Sequence, residues 1–514
     1  MTHNQQTETG KRLLATSIQA NMDAVRQALG GSEDLKTRAF TSFDGCRIGV
    51  LYMDGLADTT FIHDSILTPL MQGGERTGTP RADSGPERLL RLREELSAGD
   101  VALMDEFDPL LIRLLSGDAI VLIEGCAEAL RVGAAGWEDR PVGEPTSQAV
   151  VRGPMEAFTE NIRTNTTLIR RRIKDPRLWL ETRQIGTVSH TDVSIMYLEH
   201  LADKNVVDEV RRRLDRIDID GILESGYIEE FIQDKTLTPF QTVYNSERPD
   251  SIAAGLLEGR VAILVDGTPF VLLVPALFVH FFQAAEDYYQ RADISTLLRI
   301  IRFLSFFFAL LAPSFYIAIT TYHQEMLPTS LLISLAAQRE GVPFPAFIEA
   351  LMMEITYEIL REAGVRMPRT VGQAVSIVGT LVIGQAAVEA GIVSAVMVII
   401  VSITAISSYV IPSSGMSISV RMIRFILMGL AASVGFYGIL IGMIILVLHL
   451  TSLQSFGAPY MSPLGPFVPQ DHKDTLFRIP WPGMLTRPRF MAKNDRKRQQ
   501  SKPSSKPKNT KSGS

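Results

Sequence analysis

The chain has few of the residues from which most catalytic and metal sites are built. It contains two cysteines, Cys46 and Cys126, and only eight histidines, which are scattered along 514 residues. A Gly-rich phosphate loop, a nucleophile elbow and an HExxH zinc motif are all missing from the sequence. Two isolated thiols predict free, packed cysteines without metal-ligand spacing. We therefore expect no enzyme activity, no catalytic residue, no metal site and no cofactor.

The amino-terminal region also lacks the apolar core of a secretory signal peptide. Residues 1–10 are polar, and residues 1–250 are polar with mixed charge. We therefore expect this region to stay in the cytoplasm. From Arg487 to Lys511 the chain carries ten Lys or Arg against one acid, Asp495. This composition predicts a disordered tail, either simply solvated or held on the cytoplasmic side of a membrane.

Four apolar segments lie between residues 296 and 450, and three of them are clearly long enough to span a bilayer. They are Phe303–Thr321, the marginal Val371–Ala387, Gly391–Ile411 and Met422–Leu450. Pro313 predicts a kink in the first segment. Gly435, Gly438 and Gly442 recur in the last segment and predict close packing against another helix.

Four spans would place both ends of the chain on one side of the membrane. The basic pairs complicate this topology, because Arg299 and Arg302 precede the first span whereas Arg421 and Arg424 precede a span that would start outside. That position is a mild violation of the positive-inside rule. An additional half-span near 271–282 or 328–337 would remove the violation.

The segment between the first two spans combines charge with apolar residues. Written as a helix, Phe344–Ala363 has Ile355 and Ile359 on one face and its acids on the other. The acids on this second face are Glu354, Glu358 and Glu362. Such a helix lies in a membrane interface with solvated charges, or it lines a wet cavity. If several subunits bring copies together, these carboxylates would form a vestibule for cations.

The third span contains a candidate pore face. At steps of three and four residues this face holds Val393, Val396, Ile400, Thr404 and Ser407, and Glu389 comes just before it. An apolar constriction with an acidic entrance is the expected form of a dewetting gate for cations. Ordinary helix packing is the alternative interpretation.

The first 275 residues contain an internal repeat. IGVLYMDGLAD (48–58) aligns with VSIMYLEHLAD (193–203), and GDAIVLIEG (117–125) aligns with GRVAILVDG (259–267). The two offsets, 145 and 142, are nearly equal. We predict that each unit has a strand entering a helix, more helix, and a β-hairpin that turns at Gly125 or Gly267. The basic clusters 170–172 and 211–213 predict solvated faces or lipid contacts and no nucleic-acid site.

We therefore predict an α+β duplicated soluble N-terminal region followed by an α-helical multi-pass membrane domain. The predicted parts are a flexible N-terminus (1–40), two α+β subdomains (41–150 and 151–275), a helical membrane domain (276–455), a post-membrane segment (456–486) and a basic disordered tail (487–514).

Several long segments resemble a known family. EGRVAILVDGTPF (258–270), HQEMLPTSLLISLAAQREGVPFPA (323–346) and LTSLQSFGAPYMSPLGPF (450–467) resemble the A subunits of spore germinant receptors of the GerA type. The resemblance covers about residues 40–485. It implies a subunit of the spore inner membrane that works with a transporter-like, nutrient-binding B subunit and a lipoprotein C subunit.

The resemblance also implies a homo-oligomer, expected to be a pentamer, whose membrane helices form a cation channel opened by the germinant. Ion release through it would start germination. Two alternatives remain: a paralogue like the stage V AF proteins, which amplifies ion release, and a non-conducting scaffold that relays the state of a nutrient-binding partner.

Overall fold

The amino-terminal half of the chain folds as two antiparallel sheets. The structure, a computed structural model, describes residues 12–42, 45–72, 85–96, 98–136, 143–145, 147–367 and 382–499. The first sheet has the strand order β1-β2-β4-β5-β3, and the second has the order β6-β7-β9-β10-β8. When the strands are numbered from one within each sheet, both orders read 1-2-4-5-3. One topology therefore occurs twice in succession.

The first unit has helices on both faces of its sheet. Its strands are Leu35–Thr41 (β1), Arg47–Met53 (β2), Val101–Met104 (β3), Ala119–Ile123 (β4) and Ala129–Val132 (β5). Its helices are Ile18–Ala28 (α1), Gly85–Glu95 (α2) and Phe107–Leu114 (α3), with a further helical segment over 59–72. Helices α1 and α3 pack on one face, and α2 with segment 59–72 packs on the other, so strand β4 is buried along its whole length.

The second unit repeats this arrangement. Its strands are Leu178–Ile185 (β6), Thr191–Leu198 (β7), Tyr244–Ser246 (β8), Val261–Val265 (β9) and Val271–Val274 (β10). Its helices are Ile162–Arg172 (α4), Lys204–Leu214 (α5), Ser225–Ile232 (α6) and Pro249–Leu257 (α7). Helices α4 and α7 cover one face of the sheet, and α5 and α6 cover the other.

The repeated Leu-Ala-Asp motif begins a helix in both units. Asp58 precedes segment 59–72 and accepts the backbone N–H of Phe61. Asp203 precedes α5 and accepts the backbone N–H of Asn205. Aspartate at this position satisfies a backbone donor that the first helical turn leaves unpaired.

The repeated glycines pack against that same motif. Gly117 and Gly259 both have positive φ angles, +98° and +90°. A Cβ on Gly117 would lie 2.7 Å from the Leu56 carbonyl oxygen, and a Cβ on Gly259 would lie 2.9 Å from the Leu201 carbonyl oxygen. Two motifs that are far apart in sequence therefore recur together because they touch each other in each unit.

The prediction of a flexible N-terminus over 1–40 is wrong from residue 12 onward. Helix α1 and most of strand β1 fall within it, and Ile18, Met22 and Val25 are buried against the first sheet. These residues recur with helical spacing, which is the signal that would have identified the helix. Residues 1–11 lie outside the part of the chain that the structure describes.

Arg170 is buried where the two units meet. Its Nε donates to Asp34 Oδ2 at 2.7 Å, and one terminal nitrogen donates to Ser32 Oγ at 2.8 Å. The side chain is 1% exposed. The solvated face that we predicted for residues 170–172 is therefore wrong for Arg170, which forms a buried ion pair between the units.

Glu229 on α6 should make stability depend on pH. Burial raises the pKa of its carboxyl group to about 7, and a hydrogen bond from Asn245 Nδ2 (3.3 Å) opposes that shift. The folded state favours the protonated form, so this group's stabilising effect is present below the ordinary Glu pKa and is lost as pH rises through about 7. We expect Glu229→Gln to stabilise the protein by about 1–3 kcal/mol near pH 8 and by much less near pH 4.5.

Thermal unfolding of the detergent-purified chain at the two pH values measures this difference. Glu230→Gln, at the exposed neighbouring position, is the control. A stabilisation of equal size at both pH values would contradict the raised pKa.

The carboxyl-terminal part of the chain is mainly helical. Its helices are Ala292–Thr321 (α8), Thr329–Arg339 (α9), Ala346–Arg366 (α10), Ala395–Val410 (α11), Ser414–Val434 (α12) and Phe436–Ser452 (α13). Among the described residues, α8 and α12 are long and apolar enough to cross a membrane, and α11 and α13 are shorter apolar helices. We call residues 292–452 the helical half. The predicted second span, Val371–Ala387, lies mostly on residues 368–381, outside the described residues.

The prediction of one span over Met422–Leu450 is wrong. The structure divides it into α12 and α13 at Gly435, whose φ of +65° favours glycine. A Cβ on Gly442 would lie 2.5 Å from the Leu427 side chain, so α13 folds back along α12 as a hairpin. Glycines do permit close helix packing here, but the packing is between two parts of the predicted span.

The prediction of a disordered basic tail is wrong for residues 487–499. Met491 and Ala492 are buried, and Lys493 forms an ion pair with Asp203 at 2.5 Å. Arg498 pairs with Glu258 at 3.1 Å. Two bases of this segment are held by acids of the second unit, which composition alone does not reveal. Residues 500–514 lie outside the described residues.

Candidate functional site

Helix α10 directs two of its four carboxylates towards the interior. Glu349 and Glu354 are fully buried, whereas Ile355 and Ile359 are exposed. This arrangement reverses that of an amphipathic helix in water, and it is expected where lipid surrounds the protein. Solvated charge, one of the two alternatives for this helix, is therefore wrong for Glu354.

Arginines of α12 neutralise Glu354 and Glu358. The Arg424 guanidinium lies 2.7 Å from Glu354 and 3.7 Å from Glu358, and Arg421 donates to Glu358. The third predicted vestibule residue, Glu362, is exposed and pairs with Arg366 on its own helix. Within one chain, all three predicted carboxylates therefore already have a counter-charge, and for Glu354 and Glu358 it comes from another helix.

Arg421 and Arg424 lie inside α12, at positions 8 and 11 of its 21 residues, and do not flank it. Ser419 lies two residues before Arg421 on the same helix, and its hydroxyl donates to the Pro239 carbonyl. The predicted violation of the positive-inside rule rested on a span that began at Met422, but α12 begins at Ser414. The half-spans proposed as a remedy are not needed. Residues 271–282 contain strand β10 and a 3-10 helix, and 328–337 fall on α9.

A second buried carboxylate joins three helices. Glu349 of α10 lies 3.3 Å from the Arg339 guanidinium at the end of α9. It also accepts the Ser394 N–H at 3.0 Å, just before α11 begins. Glu349 therefore fixes the start of α11 relative to α9 and α10.

The predicted pore face of α11 is turned towards its own chain. Val393, Thr404 and Ser407 are buried, and Val396 and Ile400 are partly buried where α11 packs along α8. Glu389 is exposed and accepts a hydrogen bond from Gln385 at 2.8 Å. The opposite face of α11 is exposed and apolar, and it comprises Ile399, Ile403, Ile406 and Tyr409.

A buried ion network connects the two halves of the chain. Asp287 follows the second sheet in a short 3-10 helix and is completely buried. Its carboxylate lies 2.9 Å from Arg299 and 2.7 Å from Arg302, both on α8. Arg299 also pairs with Asp474 at 2.8 Å, beyond the helical half. The network therefore holds the linker, the start of α8 and the carboxyl-terminal segment together.

Tyr288 completes this junction. Its hydroxyl donates to Asp474 Oδ2 at 2.8 Å. Burial raises the pKa of Asp474, and the nearby Arg299 opposes this shift. Burial likewise raises the pKa of Tyr288. Asp287 and Asp474 belong to no sequence motif, and Arg299 and Arg302 are recognisable in the sequence only as basic residues that flank a span.

Comparison with known proteins decides the family. The family model described as "Bacillus/Clostridium GerA spore germination protein" matches residues 23–490. The chain belongs to this family. The resemblance found in the sequence is thereby confirmed, and the chain is a germinant receptor A-subunit-like spore germination protein. The family consists of spore germination receptor subunits and not of known enzymes.

Relatives match the GerA-family chain over nearly its full length. Spore germination protein KA of Bacillus subtilis (strain 168) is 50% identical over 489 residues, covering 95% of this chain and 89% of that protein. Spore germination protein A1 of the same organism is 40% identical over 463 residues, covering 90% and 94%. The N-terminal domain of the A subunit of the Bacillus megaterium spore germinant receptor GerK3 is 36% identical, covering 52% of this chain and 98% of that one, with a TM-score of 0.40.

Proposed function

We propose that this chain is the A subunit of a spore germinant receptor and forms, as a homo-oligomer in the spore inner membrane, a nutrient-gated cation channel. Its release of ions would trigger germination. Membership of the GerA family supports this proposal most strongly. The assembly would include a transporter-like B subunit that binds the nutrient and a lipoprotein C subunit, with a pentamer as the expected oligomer.

We further propose a multi-pass arrangement with the amino-terminal half and the carboxyl-terminal segment on the cytoplasmic side. The carboxyl-terminal segment packs on the second unit, so both belong on one side of any bilayer. The Ser419 hydroxyl donates to the Pro239 carbonyl, so the first part of α12 lies next to the second unit on this side. Isoleucines exposed on α10 and α11 would face lipid or neighbouring subunits.

Cysteine substitution tests which face of α11 lines an ion path. Both native cysteines lie in the amino-terminal half, so a single cysteine in the helical half can be labelled in a Cys46→Ser, Cys126→Ala background. We expect liposomes containing the receptor complex to pass monovalent cations on activation. We also expect a membrane-impermeant thiol reagent to block the Val396→Cys protein but not the matched Ile403→Cys protein.

If the reagent blocked the Ile403→Cys protein but not the Val396→Cys protein, the exposed face of α11 would line the ion path instead. Liposomes that stay ion-tight under every activating condition, while the complex still signals, would favour the non-conducting scaffold. One observation supports that second candidate: Glu354 and Glu358 are already paired with arginines of the same chain, so they are poorly placed to attract cations.

A further inference from the structure

A cavity of about 440 Å³ lies beside the junction between the two halves. One side is formed by α7 of the second unit, and another by the 3-10 helices 278–282 and 285–288. The carboxyl-terminal segment closes it with Trp481, Arg487 and Arg498. None of the predicted pore or vestibule residues lines it. Its size is typical of a small-molecule site.

Most of the cavity wall is apolar or aromatic. The aliphatic part comes from Ala254 and Leu257 on α7 and from Leu273 on β10. Rings of Tyr244 and Trp481 also line it. Such a wall favours a ligand with an apolar body, because burying that body removes apolar surface from water.

The acids of the cavity already have partners. Glu258 accepts from Arg260 at 2.9 Å and from Arg498 at 3.1 Å. Asp250 accepts from the Tyr289 hydroxyl at 2.6 Å and from Arg248 at 2.8 Å. The carboxylates that line the cavity are therefore committed to the protein and would not select a cationic ligand.

Two donors of the cavity are not committed. The Arg260 side chain is 6% exposed, and its Nε has no hydrogen-bond partner among the described residues. His280 Nδ1 accepts the Leu277 N–H at 2.9 Å, so the proton of the neutral ring is on Nε2. Burial lowers the pKa of His280 well below its ordinary value, which keeps the ring neutral. A ligand with acceptor oxygens would use both donors.

We propose that this cavity binds a small amphipathic carboxylate, with the carboxylate directed to Arg260 and His280 and the apolar body against Leu257, Leu273 and Trp481. The ligand would contact the second unit, the linker and the carboxyl-terminal segment together. It would therefore stabilise their packing around the junction. This site is separate from nutrient recognition by a partner subunit.

Equilibrium dialysis of the detergent-purified full chain with octanoate tests the proposal. We expect octanoate to bind, and acetate and octylamine to bind at least about tenfold more weakly, because one lacks the apolar body and the other the carboxylate. Ala254→Phe fills the cavity from an exposed position of α7 and should abolish binding. Ala20→Phe, at an exposed position of α1, is the matched control.

Arg260→Lys provides a second measurement, because it keeps the charge and removes the guanidinium fork. We expect octanoate binding about tenfold weaker in this variant, with the Glu258 ion pair retained. Repeating the dialysis with palmitate-loaded vesicles distinguishes a fatty acid supplied by the membrane from a soluble carboxylate. Equal binding of octanoate and octylamine, or octanoate binding unchanged by Ala254→Phe, would overturn the proposal. Neither result depends on whether the chain conducts ions.

Discussion

Asp287→Ala should lower the free energy of unfolding by about 3–5 kcal/mol, because it leaves buried arginines without their counter-charge. Arg299 and Arg302 both approach this carboxylate to within 3 Å, and the Arg299 side chain is 0% exposed. Asp474 would remain as a partner of Arg299, but Arg302 would lose its ion pair. Chemical or thermal unfolding of the detergent-purified chain measures the loss.

Asp293→Ala is the matched control for Asp287→Ala. Asp293 lies in the first turn of α8, and its pair with Arg291 is largely exposed. Exposed pairs contribute little to stability because solvent screens them, so this variant should unfold almost like the unaltered protein. If the two variants lost equal stability, the junction network would not be the link that we describe. If Asp287→Ala folds but disconnects the halves, protease should cleave first in the linker near residue 290.

The duplicated fold could be predicted from sequence because its repeat depends on local contacts. Asp58 and Asp203 begin helices, and Gly117 and Gly259 pack against the turns that these aspartates follow. Both contacts involve residues of short sequence motifs that recur at nearly constant spacing. The ordered segment before residue 40 is harder to predict, because its polar composition hides the helical spacing of Ile18, Met22 and Val25.

The helical half was harder to predict because hydropathy does not register a turn made by one residue. Gly435 lies inside a long apolar run, and only its positive φ separates α12 from α13. Hydropathy also cannot pair charges between helices. Arg421 and Arg424 therefore have the pattern of flanking bases, and Glu354 has that of a solvated acid. In the structure Arg424 pairs with Glu354, and Arg421 pairs with Glu358, across α10 and α12.

Arg424→Met should be strongly destabilising, and the added change Glu354→Leu should recover most of the loss. The single change leaves the Glu354 carboxylate, 1% exposed, without its partner at 2.7 Å. Breaking such a pair costs about 3–5 kcal/mol, whereas replacing both members with apolar residues of similar size is often neutral or stabilising. Unfolding of the two variants in detergent, compared with the Glu362→Gln control at an exposed pair, measures the difference.

The same variants separate the two functional candidates. If Glu354 serves a cation path, Arg424→Met frees its carboxylate and should change the cation flux of receptor liposomes, whereas the double variant lacks the carboxylate and should lose ion release. If the pair only holds α10 against α12, the double variant should retain both the stability and the ion release of the unaltered protein. A double variant that is stable but releases no ions would show that the Glu354 carboxylate is needed for ion release. A double variant that unfolds as easily as Arg424→Met would show that the pair is not compensated by packing, contrary to our expectation.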